Sequence, residues 1–300
     1  MSYLQANSNG HLHDAEAPTI SPLDRGYLYG DSVYEVWRTF GDHVFSFYEH
    51  WERLERSAGA IGLSLPVDRV RCLTEIGRTV AAYRAETGWS GACYIRLQVS
   101  RGTGPLGLDP VLSDRARWTL FVRGLDQLDR TVLVRGRSLS VARRFRRNAR
   151  ITVDPASKTG NYMNNLLCLR EVRARGAADA VILNQSGEVT EAPTSNLFFV
   201  NNRRIYTPPL SSGVLGGVTR QIILYRLPRP EGVSVIERLI TESQLGDFNE
   251  CFLASTTRDI VPVSTIDQHR YNVGPGTVTM KFKTAFASYM EANPGVGFEG

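Results

Sequence analysis

Three hundred residues, 42% of them hydrophobic and 9% aromatic, describe a globular chain with core enough for one large domain or two of ordinary size. No apolar run reaches the length of a membrane span, and Met1-Ser-Tyr-Leu-Gln-Ala-Asn7 lacks the basic-then-apolar pattern of a secretory leader, so the reading is a cytoplasmic protein with no membrane partner. The net charge of +5 is compatible with a nucleic-acid partner, but the densest basic run, Arg143-Arg144-Phe145-Arg146-Arg147-Asn148-Ala149-Arg150, matches no DNA- or RNA-binding motif; it reads as a solvated join between two halves or a subunit contact, and no nucleic acid is expected.

In chain order, Ser32–Phe40 reads as a strand, with Asp42 in the turn before Val44–Phe47. Trp51, Leu54, Ala58 and Ile61 give helical periodicity over Phe47–Ile61, ended by Gly62 and Pro66, and a second helix covers Val67–Glu86. Cys93–Ser100 and Arg117–Val122 are strands on either side of a long Gly- and Asp-rich loop, 102–114. Leu125–Arg130 reads as a hinge, Thr131–Val141 as the first strand of a second part, and Tyr162–Arg175 as a helix closed by Gly176. Strands at Ala180–Leu183, Leu197–Val200 and Arg204–Tyr206 are separated by turn signals at Asn184–Gly187 and Asn201–Asn202. A helix over Gly217–Leu227, strands at Cys251–Ser255 and Ile260–Val263, and a helix over Thr277–Ala292 complete the pattern. The class is α+β in two parts: an N-terminal α/β domain over 1–124, a linker over 125–134 and a C-terminal domain over 135–300. Cys72, Cys93, Cys168 and Cys251 match no metal spacing and read as buried thiols in a reducing cytoplasm, with no metal expected.

Lys158 is the only lysine before Lys281, in a chain with 32 arginines and three lysines. A lysine amine can lose its proton and form an imine with an aldehyde, whereas a guanidinium cannot. Buried lysine is the usual nucleophile for carbonyl substrates and for pyridoxal phosphate. That cofactor also needs a partner for its pyridine nitrogen, and amides, hydroxyls or arginine for its phosphate. Glu191, between two predicted strands, has the acid for the nitrogen. Gly216-Gly217-Val218-Thr219 at a helix start offers amides, and Ser255-Thr256-Thr257 offers hydroxyls. Taken singly, these also read as a loop acid, an ordinary helix start and an ordinary turn.

In order along the chain come Asp24-Arg-Gly-Tyr-Leu-Tyr-Gly-Asp31, Val33-Tyr-Glu35, Glu49-His-Trp-Glu-Arg-Leu54, Lys158-Thr-Gly-Asn-Tyr162, Glu188-Val-Thr-Glu191 with Ser195-Asn-Leu-Phe198, and Gly217-Val-Thr219. The chain carrying them, from about Ser21 to Ala287, resembles the class IV pyridoxal phosphate aminotransferases of fold type IV. These include branched-chain and D-amino acid aminotransferases and aminodeoxychorismate lyases. The resemblance implies a larger C-terminal domain with a β-barrel-like core, a homodimer, and the cofactor between the domains with the neighbouring subunit closing the pocket. It makes Lys158 the lysine that bonds the cofactor and moves the substrate proton, and Glu191 the partner of the pyridine nitrogen. Arg53, Val218, Thr219 and Thr256 become phosphate contacts. Tyr162 becomes the tyrosine on the phenolic oxygen, four residues after the lysine where the branched-chain group typically has five.

On the substrate side the pattern is a hybrid. Gly30-Asp-Ser-Val-Tyr-Glu-Val36 looks like the D-amino acid enzymes, which carry an Arg-x-His carboxylate trap in the long loop. Here Leu106 and Leu108 stand in those places, and an apolar pair does not bind a carboxylate. Tyr94-Ile-Arg96 resembles the Tyr-x-Arg pair that meets carboxylates in the branched-chain group, and strand alternation puts Tyr94 and Arg96 on one face. Tyr29 and Tyr34, with Leu106 and Leu108, then line an apolar pocket, Arg38 stands at its rim and Thr257 on the substrate side. The expected activity is a ping-pong transamination between an amino acid and a 2-keto acid with a branched-chain-like preference. The alternatives are a D-amino acid or (R)-amine transaminase and an aminodeoxychorismate lyase-like enzyme.

Overall fold

The computed structural model describes residues 3–113, 115–229 and 231–298; Asp114, the last residue of the expected loop, lies outside them. The chain forms two compact units. The first comprises Met1–Asp126, Ser157–Asn161 and Asn293–Gly300, and the second Gln127–Ala156 and Tyr162–Ala292.

The first unit is built on β1 (Gln5–Ser8), β2 (His11–Asp14), the single-turn α1 (Arg25–Tyr29), β3 (Ser32–Phe40), β4 (His43–Val44), α2 (Phe47–Ala60), α3 (Arg69–Thr87), β5 (Cys93–Ser100) and β6 (Arg117–Gly124). Its seven-stranded sheet runs from the C-terminal strand Val296–Gly297 through β4, β3, β5, β6 and β1 to β2. Every pairing is antiparallel. Along β5, Cys93, Ile95, Leu97 and Val99 are buried while Tyr94, Arg96 and Gln98 are half-buried, the period-2 signature of a strand with two unlike faces. The apolar face packs with Trp51, Leu54 and Ala58 of α2 and with Cys72, Ile76, Val80 and Tyr83 of α3. Asp68 caps α3 by accepting from the Arg71 amide, and Gly88 ends it at a positive φ. Strand β4 stops at Val44, because α2 already begins at Phe47.

The second unit contains α4 (Arg130–Arg135), β7 (Arg137–Val141), α5 (Met163–Arg173), β8 (Asp179–Val181), β9 (Glu191–Ala192), β10 (Ser195–Asn201), β11 (Arg204–Thr207), α6 (Val218–Gln221), β12 (Ser234–Glu237), β13 (Glu250–Ser255), β14 (Asp259–Ile266), β15 (His269–Arg270) and α7 (Val278–Ala292). The expected strand over Thr131–Val141 begins as helix. Asp129 accepts from the Thr131 amide and hydroxyl, and this local cap prevails over the β propensity of Thr-Val-Leu-Val. The sheet runs β12-β11-β10-β13-β14-β7-β8, with β9 on β10 and β15 on β14. It is mixed, with parallel pairs at β11/β12, β14/β7 and β7/β8. It is also open: its end strands do not pair, and no closed barrel forms among the described residues, in contrast to the barrel-like core that the resemblance implies. Strand β10 is buried on both faces, with Phe198 stacked on Phe252 at 4.8 Å. The helix expected over Gly217–Leu227 is α6 followed by a π-turn at Ile222–Arg226, closed by the Leu227 amide donating to the Ile222 carbonyl at 2.8 Å.

Candidate active site

In the first unit, the lysine segment lies along β3 as a short antiparallel partner, with Thr159 bridged to Val33. The Tyr34 amide donates to the Lys158 carbonyl at 3.0 Å, and the Gly160 amide donates to the Ser32 carbonyl at 2.8 Å. A side chain at position 160 would put its Cβ 2.1 Å from Ser32 Oγ, so this approach requires glycine. On the other side the Lys158 amide donates to Ser57 Oγ at 3.0 Å, and that hydroxyl is itself fixed to the Arg53 carbonyl. The backbone of Lys158 is thus held by both its polar groups. Its Nζ donates to the Tyr34 hydroxyl at 3.2 Å and stands 4.3 Å from the centre of that ring. The Arg96 guanidinium stacks on the same ring at 3.8 Å and donates to Gln98 at 2.7 Å.

Behind this cluster the motifs Val33–Glu35 and Glu49–Leu54 meet. Arg53 grips the buried Glu35 carboxylate in bidentate fashion, Nε at 2.9 Å and Nη2 at 2.7 Å, and His50 Nδ1 is 3.0 Å from the same acid. Burial pushes the Glu35 carboxyl up, but the Arg53 guanidinium and His50 pull it further down, so it lies well below the usual carboxylate range. Burial also lowers His50, partly offset by Glu35, and keeps the ring neutral near pH 7.

In the second unit, Glu191 starts β9 and is buried. Its Oε1 accepts from Arg147 Nη2 at 2.6 Å; its Oε2 accepts from Asn196 Nδ2 and the Leu215 amide, both at 3.0 Å. The Leu215 contact ties the acid to the loop that opens α6, where Val218 and Thr219 are buried. Gly217 leaves room for Asn196, since a Cβ there would sit 2.2 Å from Asn196 Oδ1. Asn196 lies opposite Ala254 of β13, and Thr256 and Thr257 occupy the turn just beyond that strand. Tyr162 is half-buried at the start of α5.

Of the remaining candidates, Tyr94 and Arg38 are cross-strand neighbours on β5 and β3, and Arg123 stacks on Tyr94. Tyr29 accepts from the Gly107 amide, while buried Arg25 donates to the Gly107 and Leu108 carbonyls. The Asp24–Asp31 motif therefore anchors the long loop. Leu106 and Leu108 are 71% and 79% exposed. Reasoning from the sequence misses Ser57, Asn196 and above all Arg147, which sits inside the run read as solvated. The spacing of Glu35, His50 and Arg53 is present in the quoted motifs, but their mutual contact becomes visible only in the fold.

The donor set fits pyridoxal phosphate: an amine for the aldehyde, a buried acid for the ring nitrogen, and amides and hydroxyls for the phosphate. Ser195 Oγ, in the strand beside Glu191, is buried with no hydrogen-bond partner among the described residues, the kind of orphaned hydroxyl that a bound ligand satisfies. Fold and residues together point to a transaminase of the pyridoxal phosphate class. The chain belongs to the class IV aminotransferases: the amino-transferase class IV profile matches residues 32–266. It is 32% identical over 279 residues to a putative branched-chain-amino-acid aminotransferase of Methanocaldococcus jannaschii, covering 93% of each chain. It is 28% identical over 290 residues to a D-alanine aminotransferase of Bacillus licheniformis, covering 92% of this chain and 94% of that one. Among solved structures, the branched-chain aminotransferase of the thermophilic archaeon Thermoproteus uzoniensis with norvaline superimposes with a TM-score of 0.81 at 27% identity, over 96% of this chain and 94% of that one. Among the described residues, no helix is long and apolar enough to cross a membrane.

Proposed function

We propose that this enzyme carries an amino group from an amino acid to a 2-keto acid in two successive half-reactions, with pyridoxal phosphate bonded at Lys158 and a branched-chain-like substrate preference. When bound, the cofactor supplies an electron-withdrawing ring next to the substrate α-carbon. The Lys158 amine would take the α-proton from the substrate and return it two atoms away, to the carbon across the intervening nitrogen, oriented by the Tyr34 hydroxyl. Glu191 keeps the ring nitrogen protonated, and Tyr162 donates to the phenolic oxygen. Arg53, Val218, Thr219 and Thr256 hold the phosphate. Arg96 and Tyr94 bind the substrate carboxylate, with Tyr29, Tyr34, Arg38 and Thr257 around the rest of it.

The observation that carries this reading is the lysine whose backbone is fixed on both sides and whose amine faces Tyr34. Exposed Leu106 and Leu108, where the D-amino acid enzymes carry their carboxylate trap, favour the branched-chain-like preference over the D-specific one. We extend the reading to a homodimer in the cytoplasm, in keeping with four buried, unpaired cysteines.

Lys158→Ala is the first test. The variant should lose both turnover and the visible absorbance of the lysine-bound cofactor; a variant that keeps both overturns the assignment. L-leucine, D-alanine, (R)-1-phenylethylamine and aminodeoxychorismate, added one at a time without an acceptor, then separate the substrate classes. Rapid bleaching of the visible band by L-leucine is expected, and bleaching by D-alanine alone would sink the branched-chain preference.

A further inference from the structure

Arg147 is the one member of the arginine run that the fold takes inside. Arg143 is half exposed and pairs with Glu242 and Asp267, and Arg146 donates to nearby carbonyls. Arg147 is 8% exposed, and each of its guanidinium nitrogens has an acceptor. Nε donates to the Gly213 carbonyl at 3.2 Å, Nη1 to Asn165 Oδ1 at 2.9 Å and Nη2 to Glu191 Oε1 at 2.6 Å. Asn165 in turn donates to the Pro193 carbonyl at 2.7 Å, in the turn that follows Glu191. One side chain therefore ties together the start of α5, the Glu191 turn and the loop that opens α6. A lysine would not do this, because its single ammonium lacks the planar fork that reaches three acceptors in one plane.

We propose that Arg147 is the positioning residue that keeps the Glu191 carboxylate ionised and aimed, and thereby sets the proton on the cofactor's ring nitrogen; the inference rests on the proposed function above. In a shared proton between a buried acid and a pyridine, the charged pair competes with the neutral pair, and low dielectric favours the neutral one. Nη2 lies in direct hydrogen-bond contact with Oε1 at 2.6 Å. Its charge stabilises the carboxylate more than it repels a protonated nitrogen, since the interaction falls with distance. Removing Arg147 therefore moves the proton from the ring towards Glu191 and weakens the electron sink. The Asn196 and Leu215 bonds to Oε2 hold the acid's position but bring no compensating charge.

The test uses pyridoxal phosphate labelled with 15N in the ring, bound to the full chain and followed by NMR between pH 6 and 9. The wild type should give the signal of a protonated ring nitrogen throughout, with Glu191→Gln as the reference for its loss. Arg147→Gln should shift the signal in the Glu191→Gln direction and bind the cofactor about 10- to 100-fold more weakly, the range expected for losing a charged hydrogen bond. Arg147→Lys, which keeps a charge, should stay nearer the wild-type signal; a merely structural role predicts equal signals for the two variants. A folded Arg147→Gln protein with an unmoved signal overturns the inference. If thermal melting shows that Arg147→Gln does not fold, Asn165→Ala decides, because it loosens Arg147 without removing it, taking away the Nη1 acceptor together with the bond to the Pro193 carbonyl. A shift in the same direction supports the role and an unmoved signal ends it. A wild type that fails to bond the labelled cofactor sinks the proposed function and this inference with it, whereas a wild type that bonds it normally beside an unmoved variant sinks only the inference.

Discussion

Tyr34 is the residue at which the lysine site is most exposed to test. Its hydroxyl accepts from Lys158 Nζ, and its ring lies under the Arg96 guanidinium. The phenylalanine variant keeps the ring and its stacking and removes only the hydroxyl. Tyr34→Phe should therefore leave the melting temperature of the cofactor-free protein unchanged and lower kcat about tenfold or more, the cost of one hydrogen bond to a charged group. Single-turnover half-reaction rates check this. An unchanged rate would show that the Tyr34 hydroxyl does not orient the amine. The chemistry of Lys158 is legible in the sequence because lysine is so rare there, but its anchors are not. Ser57 is one serine on an amphipathic helix, and only the fold brings it to an amide 101 positions away. Arg147 is hidden for the opposite reason. Its neighbours are arginines, which reads as solvation, and its acid lies 44 residues further on.

At the scale of elements, local signals determine most of what can be read. Gly88 ends α3 and Asp68 starts it, and both stand in the sequence as capping residues. Where a short-range cap and a propensity conflict, as at Asp129 before Thr-Val-Leu-Val, pattern alone chooses wrongly. The strands β1, β2 and β12 are only four residues long, too short for periodicity to show. The pairing of the lysine segment with β3 is likewise invisible from spacing, yet it depends on Gly160. Gly160→Ala should destabilise the cofactor-free protein by roughly 1–3 kcal/mol, the usual cost of overpacking, and should weaken cofactor bonding, because the added methyl meets Ser32 Oγ. The double variant Gly160→Ala/Ser32→Ala removes the obstructing oxygen and should recover most of both losses. Thermal melts and cofactor titrations of the single and double variants measure it, and equal damage in the two would show that the close approach to β3 is not what requires glycine.

For the whole molecule, the buried Glu35–His50–Arg53 cluster ties stability to pH. Both Glu35 and His50 have folded pKa values below their unfolded ones. Such groups stabilise the fold fully above the unfolded pKa and lose that contribution as pH falls towards the folded value, because the unfolded chain then binds protons that the folded one does not. The urea midpoint of the cofactor-free protein should thus begin to fall below about pH 6.5, as His50 charges in the unfolded chain, and fall more steeply below about pH 4.3, as Glu35 is protonated there. Repulsion acts in the same direction, since the net charge of +5 only grows in acid. Glu35→Gln separates the two effects. At pH 7 it strands the Arg53 cation in a buried site and should destabilise by about 3–5 kcal/mol. Its acid limb should be shallower than that of the wild type, because one group linking protons to folding is gone, while the general repulsion remains. The two curves should therefore converge as pH falls below about 4. Parallel curves down to the lowest pH reached would mean that the Glu35 carboxylate does not set the acid limit, and that accumulated positive charge does.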